Sequence, residues 1–226
     1  MPLAARVSPP PLRAGDRMSS EEFLRRWEAM PDLKHAELID GVVYMPSPVS
    51  PKHGVYHALL SIWLGTYAVY TPGSQSSLET TWVMGKRQVP QPDIALRILP
   101  EYGGQSQIER GYFAGAPELI TEVAFSSRAR DLGIKLQRYQ KMGVSEYLVA
   151  VVNESKLIWH EHTGKVFERR KPDTGGIYRS RKLPGLWLDE AALWRPDGRR
   201  MLEVLQQGIA TPEHAAFVSR LAQARK

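Results

Sequence analysis

The sequence predicts an α/β fold, more fully an α+β arrangement in which a central mixed β-sheet is flanked by helices. Two apolar runs at 117–124 and 144–152 have the character of buried strands, and a helix-length segment at 126–142 separates them. Such a strand–helix–strand unit normally makes a right-handed crossover between parallel strands. An Asp-Gly pair between apolar runs adds a β-hairpin at 36–45.

The remaining segments supply further strands and helices for the same architecture. Ser20 can cap the first helix, and Gly143 can end the helix that follows the first buried strand. We predict helices at 21–30 and 53–70, strands at 78–84, 92–98, 156–162, 165–170 and within 178–188, a loop at 100–115, and short helices after 190.

The length of 226 residues suits one domain with additional segments at its ends. We expect a flexible leader at 1–20, a core domain at 21–193 and a helical tail at 194–226. Prolines 9 to 11 and the absence of apolar periodicity favour a loosely ordered leader. The tail carries enough apolar residues to pack on the core or on a second subunit.

Composition limits the class of protein. Cysteine is absent, which excludes disulfides and thiolate metal sites and fits a reducing cytoplasm. No stretch approaches the roughly twenty apolar residues of a membrane span, and the first twenty residues lack the apolar centre of a signal peptide. A formal charge of +6 favours a polyanionic partner such as DNA. We therefore expect a cytoplasmic protein without a membrane partner.

Three carboxylates lie on or beside apolar strand segments. Glu37 precedes the hairpin turn, Asp93 begins the strand at 92–98, and Glu122 lies near the end of the strand at 117–124. Burying a charge is costly unless another group binds it. Carboxylate oxygens suit hard cations, and Mg²⁺ typically takes one or two of them directly. Asp93 and Glu122 are thus candidate ligands of Mg²⁺ or Mn²⁺, while each acid alone is equally compatible with an exposed structural role.

A lysine on the next helix completes the candidate site. Asp131, Lys135 and Tyr139 recur every fourth residue, so they share one helix face. The ammonium of Lys135 could stabilise charge on a phosphoryl oxygen. Each residue also has a structural interpretation, because Asp131 with Lys135 forms a common surface pair and tyrosines usually belong to the core. His53, with i,i+4 spacing to His57, could approach the same site, whereas a zinc site lacks the glutamate of HExxH.

These residues occur in an order that resembles the Uma-two family of restriction-endonuclease-like proteins, within the PD-(D/E)XK nuclease superfamily. The resemblance extends from about Phe23 to Leu188. It rests on Glu-Leu-Ile-Asp-Gly at 37–41, His53, Gln91-Pro92-Asp93, Glu122-Val123-x-x-Ser126, Asp131-x-x-x-Lys135-x-x-x-Tyr139 and Gly143-Val144-x-Glu146-Tyr147.

The resemblance implies a restriction-endonuclease-like core and metal-dependent hydrolysis of DNA phosphodiester bonds. Asp93 and Glu122 would hold Mg²⁺, Glu37 would complete the acidic site, and Lys135 would serve as the superfamily's lysine. One departure stands out, because that lysine normally follows the second acid by two residues, where this chain has Ala124. The resemblance implies that the lysine has moved to the following helix.

Two other functions remain open from the sequence. A nuclease-like fold could bind nucleic acid or a protein without catalysis, as the missing lysine at position 124 would allow. A metal-dependent hydrolase of small phosphoesters has the same residue requirements. A homodimer would suit an enzyme that cuts both DNA strands.

Overall fold

The computed structural model of the chain describes residues 8–45 and 48–225. The first seven residues of the predicted leader and Pro46 at the end of the predicted hairpin lie outside the described residues. The strands are β1 (Glu37–Ile39), β2 (Val42–Tyr44), β3 (Ser74–Leu78), β4 (Trp82–Val83), β5 (Ile94–Ile98), β6 (Gln107–Glu109), β7 (Tyr112–Ala114), β8 (Leu119–Ala124), β9 (Glu146–Val151), β10 (Lys156–His162), β11 (Phe167–Arg169), β12 (Ile177–Arg179) and β13 (Trp187–Asp189).

Helices follow or flank these strands, and a π-helical turn joins two of them into one longer segment. The helices are α1 (Ser20–Glu28), α2 (Pro51–Tyr70), α3 (Arg128–Arg130), α4 (Leu136–Met142), α5 (Glu190–Trp194), α6 (Gly198–Ile209) and α7 (Pro212–Ala224), with the π-helical turn Asp131–Lys135 between α3 and α4.

A six-stranded mixed sheet in the order β11-β10-β9-β8-β5-β3 forms the centre of the fold. Strands β8 and β9 are parallel neighbours, and the other pairs of this sheet are antiparallel. Every residue of β8 and β9 is buried. The predicted mixed sheet and its central strand–helix–strand unit are therefore confirmed.

Helices cover both faces of this sheet. On one face, Leu60 and Trp63 of α2 share a core with Met201 and Leu205 of α6. On the other face, Tyr139 of α4 packs against the sheet, in a core that also contains Ala124. The C-terminal helices thus pack on the core of the same chain.

The hairpin β1–β2 lies outside the central sheet and is anchored by the segment before β5. Asp40 and Gly41 have φ angles of 53° and 75°, which a two-residue hairpin turn requires at both positions. Leu38 exchanges two backbone hydrogen bonds with Val89, at 2.9 and 2.8 Å. The predicted hairpin is confirmed, and its pairing with Val89 brings it close to Asp93.

Part of the predicted leader is packed rather than loose. Leu12 is buried, and the backbone N–H groups of Gly15 and Met18 donate to Val43 and Gly41 at 2.8 and 2.9 Å. Residues 12–18 therefore run beside the hairpin. The proposed domain boundaries at 20 and 193 stay predictions.

Several predicted elements were wrong in extent. The strand predicted at 78–84 is divided into β3 and β4, and β3 begins at the polar residue Ser74 because pairing with β5 outweighs its low β-propensity. The loop predicted at 100–115 contains the hairpin β6–β7, whose turn places Arg110 and Gly111 at positive φ. Helix α1 is capped by Ser19 rather than Ser20, because Ser19 Oγ accepts from Glu22 N.

In the described part of the chain, no helix combines the length and apolar character needed to cross a membrane.

A buried acid at the start of β9 makes the stability of the fold depend on pH. Ser180 Oγ lies 2.9 Å from both oxygens of Glu146, and Trp159 Nε1 and Lys182 N donate to that carboxylate at 3.2 and 3.3 Å. Burial outweighs these hydrogen bonds and raises the pKa of Glu146 from 4.5 to about 7.

Replacing Glu146 with glutamine is expected to remove this pH dependence. A raised pKa means that proton binding stabilises the folded state below pH 4.5 and that this contribution is lost as pH rises to about 7. As pH rises across that interval, the free energy of unfolding of Glu146→Gln should increase by up to about 3 kcal/mol relative to that of the wild type. Urea unfolding at a series of pH values measures it, with the exposed Glu168→Gln as the control; parallel curves for wild type and Glu146→Gln would contradict it.

Candidate active site

Two of the candidate acids face each other across neighbouring strands. Strands β5 and β8 are antiparallel with Ile94 opposite Thr121, so the next pair in the same register is Asp93 with Glu122. The backbone N–H of Val123 donates to Asp93 Oδ2 at 2.7 Å, which ties the Asp93 carboxylate to the strand that carries Glu122. The two predicted metal ligands are therefore adjacent near the carboxyl end of β8.

The ammonium of Lys135 lies between two carboxylates from different elements. Its Nζ is 2.8 Å from Glu37 Oε1 of the hairpin and 2.9 Å from Glu122 Oε1 of β8. Asp131 Oδ1 is 3.9 Å away. The Lys135 side chain is only 2% exposed, so these contacts lie in a medium where charge interactions are strong.

Lys135 is the last residue of the π-helical turn that joins α3 to α4. The N–H of Leu136 donates to the carbonyl of Asp131, five residues earlier, instead of the usual four. Insertions of this kind occur frequently at functional sites. Here Asp131 and Lys135 belong to one cluster with Glu37 and Glu122, and Tyr139 in the next turn joins this cluster by a hydrogen bond to Glu122.

Further hydrogen bonds hold the cluster together. Tyr139 Oη donates to Glu122 Oε1 at 3.1 Å, and Ser127 Oγ donates to Asp131 Oδ2. Tyr147 Oη donates to the carbonyl of Asp131 at 3.1 Å. Both side-chain bonds that Glu122 accepts within the described residues end at Oε1, which leaves Oε2 as a possible ligand atom.

His53 and Gln91 orient the two outer acids. His53 Nε2 lies 3.4 Å from Asp93 Oδ2, and the N–H of Gln91 donates to Glu37 Oε1 at 3.0 Å. Burial raises the pKa of Asp93, but the hydrogen bonds from His53 and Val123 outweigh this effect and lower it overall. Asp93 is therefore a carboxylate at neutral pH.

Burial and the neighbouring charges together raise the pKa values of Glu122 and Lys135, which lie at the centre of the site. Burial raises the pKa of Glu122 well above 4.5, with Asp93 and Asp131 adding to the effect and Lys135 opposing it. Burial alone would lower the pKa of Lys135, but the attraction of the surrounding carboxylates raises it well above 10.5. Lys135 is therefore an ammonium ion throughout the physiological pH range.

Except for Tyr139 and Tyr147, the side chains of this site line one cavity of about 290 Å³. Acidic side chains outnumber the lysine and arginine side chains on its wall. The acids are Glu37, Glu79, Asp93, Glu122 and Asp131, and the cations are Arg130 and Lys135.

The donor set fits a hard cation that retains water. Within 8–45 and 48–225, no three acidic or histidine side chains are grouped so that they alone could hold a metal ion. Mg²⁺ needs only one or two carboxylates and keeps several waters, so the adjacent pair Asp93 and Glu122 fits it.

The structure brings together every residue singled out in the sequence. Tyr139 reaches the cluster through Glu122, and the others line the cavity: Glu37, His53, Asp93, Glu122, Asp131 and Lys135. His53 and His57 have ring centres 5.7 Å apart, but His57 Nε2 is 3.1 Å from the Asp93 carbonyl rather than directed at a shared ligand.

Among the residues of this cavity that sequence reasoning missed are Ser127 and Arg130. A serine four residues before Asp131 signals a helix start, and nothing in the spacing indicates that its hydroxyl bonds that carboxylate. Arg130 belongs to a run of charged residues that is typical of an exposed helix start. Its position on the cavity and the packing of its guanidinium against Tyr44 appear only in the folded chain.

A family model supplies the decisive comparison. The model named Uma2, with the description "Putative restriction endonuclease", matches residues 20–191. The chain belongs to the Uma2 family. The resemblance seen in the sequence is thereby confirmed, and membership of Uma2 supports a nuclease-type function with nucleic acid as the substrate class.

A solved structure supports the fold assignment of this Uma2 chain. It is the crystal structure of "a putative nuclease belonging to DUF820" from Anabaena variabilis, which shares 16% sequence identity with a TM-score of 0.59. The match covers 76% of this chain and 97% of the other. At that identity the likeness establishes the nuclease-type fold alone. No curated protein matches the sequence.

Proposed function

We propose that the chain is a metal-dependent endonuclease that hydrolyses DNA phosphodiester bonds. The observation that carries the proposal is the position of Lys135, whose ammonium contacts Glu37 and Glu122 in the cavity that Asp93 also lines. This combination supplies the acids and the lysine that the resemblance implies. It also accounts for Ala124, because Lys135 reaches the face of β8 on which both Glu122 and residue 124 lie.

Asp93 and Glu122 are the proposed ligands of Mg²⁺ or Mn²⁺. Supporting this assignment, both line a cavity whose acidic side chains outnumber its lysine and arginine side chains, and the Oε2 of Glu122 is not used by the hydrogen bonds described above. The bound cation would supply Lewis-acid stabilisation of a phosphoryl oxygen and a more acidic water.

The protein's own groups would position and stabilise the reacting atoms. The Lys135 ammonium, kept charged by its carboxylate neighbours, would offset negative charge that develops on the phosphate. Asp131 and Tyr139 would fix the position of that lysine and of Glu122. His53 would hold the orientation of the Asp93 carboxylate.

A cleavage assay with metal removal tests this function. The purified chain is expected to cut supercoiled plasmid DNA in Mg²⁺ or Mn²⁺ and to lose this activity in excess chelator, with recovery on adding the metal back. A matched preparation of Asp93→Ala controls for contaminating nucleases. Absence of cutting in both metals, or equal cutting by Asp93→Ala, would contradict the proposal.

One observation favours a second candidate, a non-catalytic module that binds nucleic acid or a protein. Lys135 is held between two carboxylates, an arrangement that also occurs in structural ion pairs. This candidate predicts salt-sensitive DNA binding without cleavage, whereas the endonuclease proposal predicts DNA binding together with cleavage.

If the chain cuts both DNA strands, a homodimer is the simplest assembly, and sedimentation equilibrium would measure it.

A further inference from the structure

Arg130 occupies an unusual position at the cavity. It lines the cavity together with Asp131 and Lys135, and its guanidinium carbon is 5.4 Å from the centre of the Tyr44 ring. Its Nε is buried without a hydrogen-bond partner in the described residues. A buried donor without an acceptor costs about 1–3 kcal/mol, so the protein's own hydrogen bonds do not explain this placement.

Neighbouring arginines pair with acids. Arg128 Nε pairs with Glu154 at 2.6 Å, and Arg138 Nη2 pairs with Asp40 at 2.9 Å, although the Nε of Arg138, like that of Arg130, is buried without a hydrogen-bond partner in the described residues. Arg130 forms no ion pair with any acid in the described part of the chain. The carboxylate next to it, Asp131, is turned inward to Ser127 and Lys135. Stacking on an aromatic ring instead orients the Arg130 guanidinium while leaving its hydrogen-bonding edge for another partner.

The charges of the cavity indicate what that partner is. Its inner wall carries carboxylates that would repel a phosphodiester unless positive groups meet the incoming phosphate. A guanidinium presents several N–H donors in a planar fork that matches phosphate oxygens, and it stays charged at every relevant pH. Arg130 lines this cavity and forms no ion pair with the described acids, so a phosphate oxygen that enters the cavity would be a suitable partner for its guanidinium.

We propose that Arg130 is a substrate-binding residue that holds a phosphate oxygen of DNA at the cavity. This inference rests on the proposed function for its choice of ligand, and it adds a residue to which the family resemblance gives no role. It gives the residues that line the cavity two different roles. The acids and Lys135 face the reacting centre, and Arg130 holds the strand.

Equilibrium DNA binding tests the contact separately from catalysis. The probe is a short fluorescein-labelled duplex, measured by anisotropy in Ca²⁺ over a range of salt concentrations. Arg130→Ala should weaken binding by about 10- to 100-fold, the range for a hydrogen bond to a charged group. The slope of log K against log salt should become shallower by about 0.9, because one fewer phosphate is neutralised. Arg130→Lys should retain the slope and recover part of the affinity.

Arg128→Ala is the matched control, since Arg128 lies two residues away and is exposed and paired with Glu154. Unchanged affinity and slope in Arg130→Ala, an equal loss in Arg128→Ala, or no measurable DNA binding by the wild type would each overturn the proposal. Thermal unfolding of each variant identifies any loss of folded protein. If the chain binds DNA through Arg130 but never cuts it, the endonuclease proposal fails while this inference stands.

Discussion

Replacing Lys135 with methionine is expected to destabilise the fold by about 3–5 kcal/mol at slightly alkaline pH, the usual cost of removing one partner from a buried ion pair. Methionine preserves most of the side-chain volume, so the loss comes from charge rather than from a cavity. Glu122 and Asp131 would then remain buried, and Glu37 largely buried, without the ammonium that they share. Urea unfolding of wild type and Lys135→Met measures the difference.

The pH dependence of that difference identifies its cause. Without the ammonium, the buried carboxylates gain protons more readily, and proton uptake by the folded state stabilises it at low pH. The penalty should therefore shrink as pH falls and grow as pH rises. Lys141→Met is the matched control, because Lys141 is exposed on the same helix. A Lys135→Met variant as stable as the wild type in alkaline solution would contradict the buried ion cluster.

Replacing either proposed metal ligand with its amide is expected to reduce DNA cleavage by more than about 100-fold, the upper end of what a lost outer-shell partner costs. Asp93→Asn and Glu122→Gln preserve side-chain shape but lose the negative charge that binds a cation. The amide oxygen introduced by Asp93→Asn could still accept from the N–H of Val123, so the contact with β8 should survive. Initial cleavage rates at saturating DNA measure the effect.

Metal binding to the folded protein gives an independent readout of the same two substitutions. Mg²⁺ should raise the thermal midpoint of the wild type, since a ligand that binds only the folded state stabilises it, and this rise should disappear in both variants. Glu79→Gln is the control, because Glu79 lines the same cavity but its side chain is about half exposed. Full cleavage with either amide, or a loss just as large in Glu79→Gln, would contradict the assignment.

Much of the central architecture could be predicted from local patterns. The strands around 119–124 and 146–151 are apolar at almost every position because both faces of the central sheet are covered by helices. The Asp-Gly turn and the glycine after α4 are determined by backbone conformation, with Gly143 at a φ of 82°. These signals are local, so they can be read without knowledge of the fold.

Other elements depended on partners that are distant in sequence. Strand β3, Ser-Gln-Ser-Ser-Leu, is extended because β5 pairs with it, and its own residues have no strong preference for a strand. Helix α4 follows a π-helical turn that the regular spacing of Asp131, Lys135 and Tyr139 does not reveal. The position of Arg130 on the cavity and its contact with Tyr44 on the hairpin also depend on the folded chain.

The candidate site shows the same division. The sequence alone identified the candidate groups, namely Glu37, Asp93, Glu122 and Lys135, because charges in apolar strands and their order along the chain are visible there. Tertiary structure alone decided that Lys135 contacts both Glu37 and Glu122, since the hairpin, β8 and the helix meet only in the folded chain. The physical reason is that distances between side chains depend on strand register and helix packing, which neighbouring residues in the sequence do not encode.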